Sequence, residues 1–217
     1  GSSDQTIATA RAFPNVVVMQ SPWLGYAENK SQAIERARNN WILWIDADEE
    51  VSPQLKDELV QLQNSDAGGI DGWEIPRLTY FTGRPVRHCG WYPGFVLRLF
   101  DRRRGRMNNK RLHEGVEMTA DSRVQRLRGD LWHHSYPTVG IYFEKMVQYG
   151  RYGAEELARC GVRYAWWRLF VHPLNNFFKH FVTKRGFLDG GVGLIISMGS
   201  GYSTFVKYAH LFQNKSE

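Results

Sequence analysis

Cysteine is scarce in this sequence, with only Cys89 and Cys160 among 217 residues. They lie far apart without metal-type spacing. That excludes a disulfide framework and a cysteine-built zinc site, and it points to a reducing compartment. Long apolar runs are missing too. The uncharged stretch Gly190–Val206 has 17 residues, five of them glycine, short of the ~20 apolar residues that a spanning helix needs. Neither a leader-type pattern nor an internal repeat is seen. In the first two-thirds neither sign of charge prevails: residues 1–138 hold 18 Lys/Arg and 17 Asp/Glu. An acidic tail or a nucleic-acid arm is therefore not expected there.

What is present is ordinary in bulk and uneven in distribution. The chain is 42% hydrophobic and 23% charged, enough for one good-sized core or one domain with an appendage. Residues 139–217 hold 10 Lys/Arg, 5 Asp/Glu and 16 of the 30 aromatics. Basic plus aromatic composition suits nucleic acid, an anionic membrane surface, or a helical subdomain with a solvated basic side. From Thr138 onward the pattern is helical, with Ile141–Leu157 amphipathic and an aromatic stretch, Tyr164–Val182, interrupted by Pro173.

The central stretch is Trp41–Val51, W-I-L-W-I-D-A-D-E-E-V. Its apolar half predicts a strand buried on both faces. Asp46, Asp48, Glu49 and Glu50 follow at once. Carboxylates crowded at a strand end are costly unless neutralised. A divalent cation with oxygen ligands, Mg²⁺ or Mn²⁺, would do so. Equally, an acidic lead-in to a helix capped by Ser52 and Pro53 would account for them. Around this stretch the pattern predicts a helix near Ile7–Phe13, a short strand over Asn15–Met19, and helices over Ala27–Arg38 and Pro53–Leu62. Further strands are expected over Gly72–Leu78 and Phe95–Phe100. Alternating strands and helices indicate an α/β fold with a parallel sheet. The run Asp101–Arg106 reads best as a hairpin turn with Gly105 in the left-handed region, although its arginines could meet a phosphate. Tyr80–Pro93 looks like a loop, whose Trp91 and Tyr92 suit either sugar stacking or core packing. Histidines occur where apolar segments end, in R-L-H-E-G-V-E and L-W-H-H-S-Y-P, beside the acidic motif.

The residues also suit one chemistry. A leaving diphosphate needs positive charge, which a metal on Asp46 and Asp48 would supply with help from Lys30 or Arg98. An acceptor hydroxyl needs a carboxylate base, and Glu114 stands on a separate segment. A single base with direct displacement inverts the anomeric centre. A metal-dependent phosphohydrolase using the same carboxylates and histidines is the rival enzyme reading. A degenerate homologue acting as a membrane-surface binding module is the rival outside catalysis.

In order, the chain carries S-x-D-x-T, W-x-L-x-I-D-A-D-E-E-V-S, G-W-Y-P with L-R-L-F, H-E-x-V-E, H-x-S-Y, K-R-G-F-L-D-G and Y-S-T-F-x-K-Y. This ordered set resembles the family-2 glycosyltransferases of GT-A fold. Within them it is similar to the bacterial group that adds a β-linked glucose to the lipopolysaccharide inner core. The resemblance implies a GT-A-like mixed sheet over residues 1–138 and a helical membrane-surface or acceptor region over 139–217. It implies a nucleotide-sugar donor (a UDP-sugar), Mg²⁺ or Mn²⁺, a glycolipid or oligosaccharide acceptor, and inversion at the inner face of the cytoplasmic membrane. On it, Asp46 and Asp48 fall on the metal and diphosphate motif, and Glu49 is the following acid. Glu114 is the candidate base, with Glu49 next. His133 is a further metal or diphosphate contact, and Lys30 matches a lysine on the helix before the metal strand. Arg98 and Trp91 are candidate donor contacts on their own chemistry, as a cation and a ring face. Ser31, Gly94 and His134 depart from the pattern, which has Asn, Asp and an aromatic residue there. The pattern also begins about thirty residues upstream, within ordinary strand and loop lengths. The first strand and its nucleotide-contacting loop are expected in that upstream segment.

Overall fold

The computed structural model describes residues 4–65, 68–108, 115–162 and 165–213. The chain forms two compact units, Gly1–Ile42 with Phe100–Ser122 and Leu43–Leu99 with Arg123–Glu217.

The first unit holds two helices, α1 (Thr6–Arg11) and α2 (Tyr26–Arg36), and the start of strand β1 (Trp41–Leu43). It also holds a hairpin of strands β6 (Gly105–Met107) and β7 (Val116–Met118). The last carbonyls of a helix lack intrahelical donors. Arg102 supplies them for α2, donating from Nη1 to the carbonyls of Ile34 (3.0 Å), Glu35 (3.3 Å) and Ala37 (2.8 Å). The turn before β6 is tied by Asp101, whose carboxylate accepts from Arg103, so the arginine run is largely turn chemistry. Gly105 is not left-handed as predicted. It lies in β6, and a Cβ there would meet Met118 Sδ at 2.5 Å. The predicted strand over Asn15–Met19 does not form, and Val16, Val17 and Met19 are exposed. Strand propensity is a fit to a pleated neighbour, and no ladder reaches these residues among those described.

A seven-stranded sheet has the order β1-β5-β3-β9-β2, and most of its residues belong to the second unit. These strands are β2 (Glu49–Val51), β3 (Gly72–Phe81), β5 (Gly94–Asp101) and β9 (Leu131–Tyr136), with β4 (Arg84–Pro85) and β8 (Val124–Arg126) also on β3. The sheet is mixed, as the GT-A resemblance implies, and not purely parallel. β3 runs parallel to β8 and β9 and antiparallel to β4, while β2 is antiparallel to β9. The strand buried on both faces is β3, not the Trp41 strand. β1 is three residues long, and of them only Ile42 is buried. Its place at the end of the order explains this, because an edge strand has one neighbour and an open side. β3 also runs on into the segment predicted as loop, turning through Thr82 and Gly83, both at positive φ, as a two-residue hairpin of this hand requires.

Helix α3 (Pro53–Gln63) starts as its sequence predicts, with Ser52 Oγ accepting from the Leu55 N–H at 3.2 Å and Pro53 in the first turn. Leu55, Ile75 and Leu131 form one core between α3 and the sheet. A second core joins Phe81, Val86, Cys89, Tyr142, Met146 and Ile196. It lies under α4 (Val139–Arg159), which presents Tyr142, Met146, Gly150 and Ala154 inward at helical spacing. Helix α6 (Gly190–Gln213) packs on α4 and on α5 (Arg168–Phe178). α5 continues through Pro173, which forfeits a single intrahelical bond there. A π-turn at Lys179–Thr183 and a 3₁₀ turn at Gly186–Asp189 join α5 to α6. They are latched to the loop before β5: Cys89 N–H donates to Lys184 O (3.0 Å), His180 Nδ1 lies 2.8 Å from Cys89 O, and His88 Nδ1 lies 2.8 Å from Asp189 Oδ1. Burial pushes the Cys89 thiol up to about 11, so it stays a neutral core group.

Tyr142 is the hinge of this packing. Its ring contacts Phe81, Tyr136 and Phe143 at 5.1–5.4 Å, and its hydroxyl donates to Ile196 O at 2.8 Å. A Cβ on Gly199 would overlap that ring. Gly199→Ala is expected to destabilise by about 1–3 kcal/mol, the usual cost of overpacking. The thermal midpoint should fall by several degrees, at roughly 2–4 °C per kcal/mol for a chain of this size. Gly191→Ala is the control, since nothing lies within 4 Å of its added methyl. Equal melting curves for the two variants by circular dichroism would contradict the packing described.

Candidate active site

The site is set by strand register. β2 pairs with β9 so that Glu49 lies opposite His133 and Glu50 opposite Trp132. One residue further out, His134 N–H donates to Asp48 O at 2.8 Å. The acidic turn and the H-H-S-Y segment, distant in sequence, therefore meet. Beside them, β3 and β9 are paired through Thr79↔His133, and the register then shifts so that Phe81 faces Tyr136. That is a bulge on β9 at His134 and Ser135.

The four carboxylates of the turn have separate fates. Asp46 is already engaged: Oδ1 accepts from Trp44 Nε1 (3.1 Å) and Oδ2 from Arg98 Nη2 (2.8 Å). Glu49 has no exposed side-chain surface. It accepts from the Asp46 N–H (3.0 Å) and from Arg98 (2.5 Å), with Arg77 Nη1 at 3.7 Å. Arg98 is itself buried, and its guanidinium lies 4.1 Å over the Trp44 ring. Glu49 and Arg98 thus pair inside the fold, as buried charge requires, with the partly exposed Asp46 and Arg77 beside them. Glu50 points away to the exposed His134, 3.3 Å off. Asp48 alone combines exposure, 48% of its side chain, with a partner in the cleft: its Oδ2 lies 3.2 Å from His133 Nε2. The His133 pKa is lowered, first by burial and then by the Arg77 charge, against the pull of Asp48 and Glu49. A neutral imidazole is the form that binds metals. Ser135 Oγ lies within hydrogen-bond distance of both ring nitrogens, at 2.8 and 2.7 Å.

His133 lines a cleft of about 420 Å³ together with Arg77, Thr79, Trp91, Ser135, Tyr136, Lys145 and Tyr149. Lys145 Nζ donates to Ser135 O at 3.2 Å and sits 4.9 Å over the Tyr136 ring. The Tyr136 hydroxyl is pushed above its usual range by burial. Trp91 packs 5.4 Å from Tyr136 and against the second core. It is both a core residue and a wall of the cleft, so neither reading of it excludes the other. The cleft is cationic and aromatic, a combination suited to a phosphorylated sugar. Arg77, Lys145 and Tyr149 escaped the sequence motifs. Arg77 left one signal, a cation in the middle of a strand that is mostly apolar and buried.

Not every expected site residue joins this group. Lys30 sits on α2 in the first unit. Glu114 lies outside the described residues. Among the described residues, no three His, Cys, Asp or Glu side chains gather as a ready-made metal cage. The first unit has its own open pocket of about 880 Å³, lined by Ser31, Glu35, Asn40, Arg102, Arg106 and Asn108 among others. Its arginines come from the Asp101–Arg106 run.

Residues 1–146 match the model of the glycosyl transferase family 2. An uncharacterized glycosyltransferase of Rickettsia typhi is 27% identical over 227 residues, 97% of this chain and 74% of that protein. A relative from Rickettsia felis, also an uncharacterized glycosyltransferase, is 28% identical over 227 residues, covering 97% of this chain and 77% of its own length. The lipopolysaccharide core biosynthesis glycosyltransferase LpsC of Rhizobium meliloti is 27% identical over 224 residues, 98% of this chain and 80% of its own length. An α/β mixed sheet ending in an acidic turn, with a cationic cleft beside it, and a family match over two-thirds of the sequence agree: this chain is a glycosyltransferase and belongs to glycosyl transferase family 2.

Proposed function

We propose that the chain transfers glucose, with inversion, from a UDP-sugar to a lipopolysaccharide-core or similar glycolipid acceptor, on the cytoplasmic side of the membrane, using Mg²⁺ or Mn²⁺. The observation that carries this reading is the 3.2 Å approach of Asp48 Oδ2 to His133 Nε2 at the edge of the Arg77–Lys145 cleft. The donor set suits the ion. One carboxylate and one neutral imidazole are few ligands, but Mg²⁺ and Mn²⁺ commonly keep waters and complete their shell with substrate phosphates. When bound, such an ion supplies charge to a leaving diphosphate. Asp46 and Glu49 then serve as anchors that fix Arg98 and the turn, so that Asp48 is held outward. Arg77 and Lys145 place two further cations on the cleft for the phosphates, and Trp91 offers a ring face to the sugar. The two free cysteines and the resemblance of this chain to a core-biosynthesis enzyme support the compartment and the acceptor class.

Glu114 remains the proposed base. Glu49 is the poorer candidate for that role, because a carboxylate with no exposed surface that accepts from Arg98 and a backbone N–H cannot reach an acceptor hydroxyl. Glu114→Gln should leave donor affinity unchanged by calorimetry and lower transfer by ~10²-fold or more, the scale of a positioned base. The same assay run with and without acceptor separates transfer from hydrolysis. Donor breakdown at the same rate without acceptor would favour the phosphohydrolase, and equal losses of binding and rate would make Glu114 a donor contact.

A further inference from the structure

Helices α5 and α6 carry large apolar side chains on the wrong side for a water-soluble hairpin. On α5 and the residue before it, Trp167, Phe170, Val171, Leu174 and Phe178 recur at helical spacing, and all are exposed. On α6, Leu194, Met198, Tyr202 and Phe205 form a second stripe, also exposed. The turns between the helices add Val182, Phe187 and Leu188. An amphipathic helix normally turns such a stripe to the core, and a contiguous apolar surface of this kind marks an interaction site. The inward face is already satisfied by other residues, Ile196, Val206, Tyr208 and Leu211 on α6 among them. Phe177 and Phe181 are half-buried and stack on each other at 5.5 Å. Lys207 lies half-buried beside Gly153 of α4.

Charge identifies the partner. Residues 165–213 contain five Lys/Arg and a single acid, Asp189, and that acid is held by His88. Lys179, Lys184 and Arg185, all exposed, sit at the turn between the two stripes. A second copy of this face offers these cations no free acid to meet, since its Asp189 is likewise held by His88. An anionic bilayer offers apolar depth under a negative surface, the complement of this face. No helix among the described residues is long and apolar enough to cross a membrane.

We propose that the outward face of α5, the two connecting turns and α6 is a docking surface for an anionic lipid bilayer, lying in the plane of the interface with its aromatics in the headgroup–acyl boundary. This surface is independent of the sugar-transfer reaction, because it shares no residue with the Asp48–His133 cleft.

Sedimentation with phosphatidylcholine vesicles, with and without phosphatidylglycerol, tests it. The full chain should bind only the anionic vesicles, release as salt rises, and be stripped by alkaline carbonate. Bound protein should show blue-shifted tryptophan emission quenched by brominated lipid, since Trp166 and Trp167 are exposed. The triple variant Phe170→Ser, Leu174→Ser, Phe178→Ser should bind more than about tenfold more weakly, given the transfer free energy of three such side chains, while keeping its donor affinity. Lys179→Glu with Arg185→Glu should abolish the preference for anionic lipid. Absence of binding at low salt would overturn the proposal. So would a lipid-free dimer that dissociates in the triple serine variant, since the face would then be a protein interface. Carbonate-resistant binding would overturn the in-plane arrangement.

Discussion

Asp48→Ala should abolish metal-dependent donor binding and lower transfer by roughly 10²–10³-fold, the scale of losing one stabiliser of developing charge. The fold should be unaffected. Asp48 is half-exposed, and its carboxylate contacts the His133 ring. Removing it also relieves repulsion among four neighbouring carboxylates. Titration of UDP-glucose into protein with Mn²⁺ should give heat for the native chain and none for the variant, while the two melting curves coincide. Asp46→Ala should behave differently. Both its oxygens already accept from Trp44 and Arg98, so the variant should lose stability as well as activity. An Asp48→Ala enzyme that keeps full activity with either ion would remove the metal from Asp48.

Arg98→Met should be the most damaging single change to stability, by about 3–5 kcal/mol, the cost of leaving buried charge without its partner. Arg98 holds Asp46 at 2.8 Å and Glu49 at 2.5 Å, and it is buried with Glu49. Methionine fills comparable space beside Trp44 but offers no donors, which leaves the buried Glu49 to the Asp46 N–H and the more distant Arg77. A loss of that size is a large part of the roughly 5–15 kcal/mol that holds a domain together. Adding Glu49→Gln to Arg98→Met should recover a good part of it, because the buried charge is then gone. Chemical denaturation of the three proteins is the measurement. A double variant no more stable than Arg98→Met alone would mean that packing against Trp44, not charge, is what Arg98 supplies.

Much of the site could be read from the residues, for reasons that are local. Asp46, Asp48 and His133 stand out because a charged or ionisable group at the end of an apolar segment is costly there unless it binds something or is paired. Ser52 and Pro53 announce a helix start by chemistry confined to one turn. What required the fold was pairing. The Trp41 segment is as apolar as a central strand, but hydrophobicity does not say how many neighbours a strand has, and β1 proved to be an edge. Val16–Val18 have strand-like residues and no ladder among the described residues. The division of labour among the four carboxylates was also hidden, since it depends on which of them Arg98 and Arg77 reach from β5 and β3. Lys145 is one of several cations on α4, and only its position over Tyr136 sets it apart. In the helical region the composition marked a basic, aromatic segment and left open which rings face solvent. The helix phase then decided that Phe170 and Phe178 face out while Phe177 and Phe181 turn in.

The bulge at His134 and Ser135 makes the spacing of this site a counted quantity. Side chains on a strand alternate in direction, so a slip of one residue reverses every one of them. Two histidines stand side by side, yet the pleat sends His133 into the cleft and His134 to Glu50, and neither can replace the other. Beyond them, three steps along β9 match two along β3. The extra residue turns Tyr136 back beneath Lys145 instead of letting it follow the regular alternation. A deletion of one residue here would leave the strand, its hydrophobic content and its length almost unchanged while emptying the cleft of an aromatic wall. Loops elsewhere in the chain can lengthen at little cost. Within this segment a one-residue insertion or deletion between His133 and Tyr136 is therefore expected to reshape the cleft more than a substitution does.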